Sequence, residues 1–268
     1  MCWKFHDYSS AGQIVALEKQ LEIQTKFYKL NLLCISDRLT YINTLKGSDI
    51  MKKLIFLLVL IASILFASSI CFAQTPFIDV QANQALSDIE AVYGKGIMIG
   101  TAANIFSPGE YVDKAQLAVC LVRTFDLNYD HIHFIKEPLP SDLYDDVAND
   151  IWYGDASMTM AYNNIFDFPD RMFKPHQAVT RAEVASAIAD SFKAKNLQVI
   201  TTLIWPGYSD IAHLSDKQQS DIAFIYNTQI MNYPGNEFKP GEKITRAELA
   251  AILNKTLSTI AIAQPEKE

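Results

Sequence analysis

The chain has 268 residues, half of them apolar and a fifth charged, which excludes a disordered tail or a fibrous protein and allows one or two domains. Its 23 basic and 30 acidic residues leave a net charge of -7, the wrong sign for a nucleic-acid partner. The charge is unevenly spread: residues 1–73 hold 8 basic and 5 acidic groups, net +3, and residues 74–268 hold 15 and 25, net -10.

Met51-Lys52-Lys53 precede an apolar run from Leu54 to Phe66, which gives way to small residues and Cys71-Phe72-Ala73-Gln74. A positive start, a hydrophobic middle and a small residue before the cut form the pattern of a secretory signal peptide over 51–73, with Gln74 opening the mature chain. Acylation at Cys71 fits less well, because Ile70 before it is bulky and branched. An uncleaved anchor is the third reading, since Leu54 to Phe72 spans 19 residues, about the length a bilayer needs; only then is the membrane a partner. In every version Lys52 and Lys53 stay inside and the acidic part is exported, to the cell wall or the periplasm. Residues 1–50 are then either an upstream misread of a chain that starts at Met51, or a cytoplasmic extension with Ile14, Leu17 and Leu21 at helical spacing. Of the four cysteines only Cys120 lies in the exported part, so no internal disulfide can form there; on an apolar helix face it reads as a buried small hydrophobe.

Three repeats fill the remainder. Each opens with an aromatic residue, any residue, Asp and a β-branched residue: Phe77-Ile78-Asp79-Val80, Tyr144-Asp145-Asp146-Val147 and Tyr208-Ser209-Asp210-Ile211. Each continues to Phe-x-Pro (Phe106, Phe173, Phe238) and, seven residues after that Phe, to Asp113-Lys114-Ala115-Gln116, Thr180-Arg181-Ala182-Glu183 or Thr245-Arg246-Ala247-Glu248. The tetrads recur after 67 and 65 residues, which identifies an internal repeat. After each tetrad the positions four, eight and twelve on are apolar: Leu117, Leu121, Phe125; Val184, Ile188, Phe192; Leu249, Leu253, Leu257. One helical stripe therefore recurs three times, with Ala118, Ala185 and Ala250 placed for close helix approach. An earlier helix is marked by Leu86, Ile89 and Tyr93 in repeat one and by Ile222, Ile225 and Tyr226 in repeat three. Repeat two offers Trp152, Met160 and Ala161 for the same role. Gly96 and Gly100, Phe168-Pro169-Asp170 and Tyr233-Pro234-Gly235-Asn236 form the turns between the two helices. A lone two-helix unit cannot bury its stripe, so the three should pack as one all-α body.

This combination resembles the S-layer homology domain, with units over 77–126, 144–193 and 208–258. The Thr-Arg-Ala-Glu tetrads of repeats two and three match the family's pattern; repeat one departs. The family's Gly-Ile-x-x-Gly element survives whole only as Gly96-Ile97-Met98-Ile99-Gly100, against Asn164-Ile165-Phe166-Asp167 and Gln229-Ile230-Met231-Asn232. The resemblance implies helix-loop-helix repeats in a pseudo-threefold, three-pronged body around a central helix bundle. It also implies noncovalent binding of a secondary cell-wall polysaccharide or peptidoglycan-associated glycan, often through a pyruvate ketal, with the tetrad Arg as a main contact.

The tetrad also has a structural reading. Thr180 with Glu183 and Thr245 with Glu248 form capping boxes, and Asp113 with Gln116 can do the same. Capping leaves Arg181 and Arg246 unexplained, since the residue after the N-cap is expected to point outward. A guanidinium there lies beside free amides at the positive end of a helix and offers a two-pronged fork to a carboxylate. The rival is a surface ion pair worth at most about 1 kcal/mol. Chemistry alone leaves the two readings even, and the resemblance favours binding. Lys114 keeps the charge without the fork, so its site should be weaker or structural. Asp79, Asp146 and Asp210 read as turn or cap residues. His131 and His133 make a poor metal site, and Asp145, Asp146, Asp150 and Asp155 lack a calcium loop's spacing and read as a solvated face. No cofactor or metal is expected. The competing functions are a wall-binding module, an assembly protein that docks other envelope proteins, and a glycan-active enzyme. The last lacks room, because the linkers 127–143 and 194–207 are too short for a catalytic domain. A body of net charge -10 is repelled by an anionic polymer at long range, so recognition must be local, within a screening length of about 8 Å.

Overall fold

The computed structural model describes residues 76–166, 170–202 and 204–265, all within one unit, Ala73–Glu268. The readings made on residues 1–50, on the segment 51–73, on the Gln74 start and on Asp167, Phe168 and Pro169 lie outside the described residues. Among the described residues there are seven helices: α1 (Leu86–Gly94), α2 (Lys114–Phe125), α3 (Pro140–Leu143), α4 (Gly154–Tyr162), α5 (Arg181–Ala194), α6 (Asp216–Asn227) and α7 (Arg246–Ile260). Two short strands, β1 (Leu197–Gln198) and β2 (Gln264–Pro265), pair antiparallel, with Leu197 opposite Pro265. The fold is all-α, and none of these helices is long and apolar enough to cross a membrane.

The second helices start where the tetrads place them. The Glu183 amide donates to Thr180 Oγ1 at 3.3 Å while the Thr180 amide donates to Glu183 Oε2 at 2.8 Å, and Thr245 with Glu248 repeats both distances. Leu117, Leu121, Val184, Ile188, Leu249 and Leu253 are wholly buried, as are Ala118, Ala185 and Ala250 beside them. Burying each such Leu, Val or Ile contributes about 1.5–3 kcal/mol. A further capping box, Ser215 with Gln218, starts α6 and went unread in the sequence. Trp152 is a correction: α4 begins only at Gly154, so Trp152 lies ahead of the stripe and is 63% exposed.

The signature residues hold each repeat's loop. Phe77, Tyr144 and Tyr208 pack their rings on Phe106, Phe173 and Phe238 at centroid distances of 5.3, 5.4 and 5.5 Å. Asp79 accepts from the Phe106 and Ser107 amides, Asp146 from Phe173 and Lys174, and Asp210 from Phe238 and Lys239, all at 2.7–2.9 Å. These carboxylates hold the middle residue of each Phe-x-Pro in the left-handed region, at φ 58° for Ser107, 56° for Lys174 and 57° for Lys239. Asp146 is thus a loop clamp and no part of a solvated acidic face, because its two oxygens are committed to backbone amides.

The repeats engage in cyclic order. α2 packs on α4, α5 on α6, and α7 returns to α1, so each second helix pairs with the first helix of the next repeat. α2 also touches α5 and α7. One residue ahead of each N-cap, three backbone bonds close a ring: Val112 N to Ile244 O at 2.9 Å, Val179 N to Val112 O at 2.9 Å, and Ile244 N to Val179 O at 3.2 Å. The first two helical amides of each second helix donate across to the next repeat's loop. Lys114 and Ala115 bond Gln177 and Pro175, Arg181 and Ala182 bond Glu242 and Pro240, and Arg246 and Ala247 bond Glu110 and Pro108, at 2.8–3.1 Å. Four charges join α5 to α6, with Lys193 and Lys217 each bridging Asp190 and the nearly buried Asp221 at 2.7–3.1 Å.

Candidate functional site

The tetrad cations do not point outward. Lys114, Arg181 and Arg246 are 9%, 8% and 5% exposed, because docking of the adjacent amides on the neighbouring loop draws the side chain along the junction between repeats. The helix-start amides are not free either: the first two bond carbonyls of the neighbour and the third bonds the cap. Each cation lies over a ring of the next repeat, Lys114 over Phe166 at 5.5 Å, Arg181 over Tyr233 at 4.2 Å and Arg246 over Phe106 at 4.6 Å. These are cation–π contacts made away from bulk water, where they are strongest.

The three junctions differ in what neutralises the cation. Arg181 Nη1 donates to Phe238 O at 3.3 Å and pairs with Glu242 at 2.6 Å, and Nη2 lies 3.5 Å from Glu248. Burial pushes the Tyr233 hydroxyl up to about 12, and Arg181 beneath it opposes that rise. At Lys114 burial lowers the pKa, and the Glu183 carboxylate acts in the other direction. Arg246 donates from Nε to Phe106 O at 2.8 Å and from Nη2 to Ile99 O at 2.7 Å, and has no ion pair among the described residues. Burial pulls its pKa below the ordinary value, while Glu110, Asp113 and Asp79 act only at longer range.

The reason lies in the neighbour's tetrad. Arg181 lies 3.5 Å from Glu248, while Lys114 has no ion pair among the described residues and feels Glu183 only at longer range, each carboxylate being the fourth tetrad residue of the following repeat. The following repeat for Arg246 is repeat one, which has Gln116 at that position. The expected Asp113–Gln116 capping box is only half formed: Asp113 Oδ1 accepts from the Gln116 amide at 2.8 Å, with no bond returned by the side chain. Gln116 Oε1 is instead buried without a hydrogen-bond partner among the described residues, as is Arg181 Nε.

A cleft of about 220 Å³ opens beside Arg246, with Ile97, Gly100, Gln116, Arg123 and Trp152 among its walls. A Cβ on Gly100 would fall 2.6 Å from both Ile105 O and the Phe77 ring, so only glycine fits and no side chain closes the cleft there. The matching position of repeat three is Tyr233, whose ring covers Arg181. The first glycine of the element is less demanding: Gly96 has φ 69°, and Asn164 and Gln229 adopt 55° and 60° in its place. Arg123 adds a second guanidinium, anchored to Gly96 O at 3.2 Å and Ile97 O at 3.4 Å. Cys120 is 6% exposed as expected, and burial pushes its thiol up to about 12, which leaves it inert.

Sequence reading therefore found Arg246 but missed Gly100, Gln116, Arg123 and Trp152. Gln116 was visible as a departure from the tetrad; what hid its role was that the departure acts on the preceding repeat in the ring. His131 and His133 are exposed, and among the described residues no three His, Cys, Asp or Glu side chains gather as a metal site.

Comparison with known families matches the S-layer homology domain to residues 76–118, 143–185 and 208–250. The chain is similar to exoglucanase XynX of Acetivibrio thermocellus, 24% identical over 69% of this chain and 16% of the relative. It is similar also to an amylopullulanase of Thermoanaerobacterium thermosulfurigenes, 26% identical over 66% and 9%, and to the surface-layer 125 kDa protein of Lysinibacillus sphaericus, 23% identical over 64% and 14%. The chain thus spans between 9% and 16% of the length of these three relatives.

Proposed function

The chain carries three S-layer homology domains, and from that premise we propose that it is a non-catalytic anchor that holds noncovalently to an acidic cell-wall glycan outside the membrane. The domain is a cell-surface anchoring module, and one of the relatives is itself a surface-layer protein. The names exoglucanase and amylopullulanase belong to much longer chains and carry no activity to this one. The observation that carries the glycan reading is Arg246, a buried guanidinium with no carboxylate partner among the described residues, facing an open cleft. A cleft of about 220 Å³ is smaller than the roughly 300–1,000 Å³ pockets that enclose drug-sized ligands, so it suits one acidic substituent, such as a pyruvate ketal, and leaves the sugar chain outside. The exposed Trp152 ring at the rim offers a face for the sugar to stack on.

Retention of the protein on isolated cell walls, before and after the acidic substituents are removed, tests this. The expected result is strong retention on native walls and at least tenfold weaker retention on the stripped ones. Equal retention on both would reject an acidic ligand, and release from both with retention on envelope proteins would favour the docking function.

A further inference from the structure

We propose that the linker between repeats one and two is a docking surface for a basic, partly apolar segment of another protein, independent of any wall binding. Tyr129 and Phe134 of the linker and Tyr162 at the end of α4 pack as a three-ring platform, with centroids 5.1–6.0 Å apart. Phe134 is 38% exposed, and Ile135 next to it in the chain is fully exposed. Neither belongs to the buried core or to the side chains packed against it. The loop that presents them is held in place. The Ile132 amide donates to Tyr129 O at 3.0 Å, and Asn163 Nδ2 donates to Asn128 O at 3.0 Å. A surface already ordered in its bound shape loses little entropy on docking.

The surroundings of the platform choose its occupant. Burial raises the Tyr129 pKa, and Asp155, Tyr162, Glu137 and Asp130 raise it further, so three carboxylates stand around that ring. Burial and then Asp142 act in the same direction on Tyr162. Asp130, Glu137 and Asp155 are exposed and form no ion pair among the described residues. With histidines counted as neutral, Lys136 is the one cation in 127–143. An aromatic face rimmed by unpaired carboxylates attracts a Lys or Arg side chain twice, through the ring and through the charges. Phe134 and Ile135 offer apolar area to the partner's aliphatic residues. The second linker makes the contrast. Over 194–207, Ile200, Ile204 and Trp205 are also exposed, but that segment holds no Asp or Glu, so nothing in it draws a cation.

The test is titration of the isotope-labelled intact chain with a peptide of alternating Lys and Leu and with its Glu–Leu counterpart, following ring and methyl resonances by NMR. The Lys–Leu peptide should shift Phe134 and Ile135 and leave the Trp205 indole in place, and the Glu–Leu peptide should shift none of them. Added salt should weaken the binding, because it screens the exposed carboxylates. Phe134→Ser with Ile135→Ser should weaken it about tenfold or more, as loss of central apolar contacts does. Asp130→Asn with Glu137→Gln, at exposed positions outside the core, should weaken it several-fold at an unchanged melting temperature. Equal binding of the two peptides, a Trp205 shift as large as that of Phe134, or a carboxylate variant that binds like the native chain would each overturn the proposal. Phosphatidylcholine vesicles that shift Phe134 where the Lys–Leu peptide does not would overturn it too, in favour of a lipid surface.

Discussion

At the Arg181 junction two carboxylates and an aromatic ring hold the cation, although its Nε stays buried without a partner among the described residues; at the Arg246 junction the same tetrad meets two carbonyls and a ring, beside a cleft. Both arginines start a helix, both dock their amides on a Phe-x-Pro loop, and both lie over a ring. The contrast comes from the next repeat, where Glu248 and Tyr233 stand at one junction and Gln116 and Gly100 at the other. In a cyclic body, a residue's role is set by the neighbour as much as by its own motif.

Removing both junctions at once should have the largest effect. Without residues 208–258, α1 loses α7, α5 loses α6, and the backbone ring through Ile244 opens. The shortened chain should show no cooperative melting transition by circular dichroism; a transition at the full-length temperature would mean that the junctions are dispensable. Next come the arginines themselves. Arg246→Ala removes two charge-assisted bonds and uncovers two carbonyls, for a loss of roughly 3 kcal/mol, and also abolishes wall retention. Arg181→Ala should cost about 2 kcal/mol, since its ion pairs are partly exposed, and leave retention unchanged. Urea unfolding with the wall assay separates the two, and equal loss of retention would erase the contrast.

Capping gives a smaller test. Thr180→Ala should cost about 1 kcal/mol through the broken capping box. Gln116→Ala should stay within about 0.5 kcal/mol, because its side chain makes no bond to lose. A Gln116 variant as unstable as the Thr180 one would show that a full box forms after all. Acid should act on both junctions alike. Burial would raise the pKa of Asp79 and of Asp210, but the loop amides each accepts from outweigh it and hold both below the ordinary 3.8. A depressed carboxylate contributes stability that is present above the unfolded value and lost as pH falls through the folded one. Melting temperature should therefore hold down to about pH 4 and decline below it, and Asp79→Asn should flatten that decline. A decline already complete by pH 5 would point to other groups.

The all-α fold, the repeat boundaries and the capping residues were legible in the sequence because each rests on local spacing: Thr180 to Glu183, Leu117 to Leu121, Phe106 to Asp113. Asp79, Asp146 and Asp210 were legible as turn residues for the same reason. What escaped was the order in which repeats meet. Nothing within residues 113–116 says that Gln116 belongs beside Arg246, about 130 residues away along the chain, so the departure read as a weakness of repeat one's own site. The inward turn of the arginines escaped likewise, since it is produced by bonds to Glu110 O and Glu242 O on other repeats. Trp152 was misplaced because an aromatic residue next to a helix carries the same periodic signal as one within it.

The return of α7 onto α1 also fixes how the body bears a pull. Tension applied at its two described ends, near residues 76 and 265, enters through repeat one and repeat three, which are already clasped to each other by Arg246 and by the bond from Asn254 to Asp88 at 2.8 Å. At residue 265 part of the load passes through the β1–β2 pair to the segment that follows α5. The rest crosses the junction that also holds the open cleft, so that stretching the chain strains the cleft walls, and an occupant spanning repeats one and three would stiffen the joint.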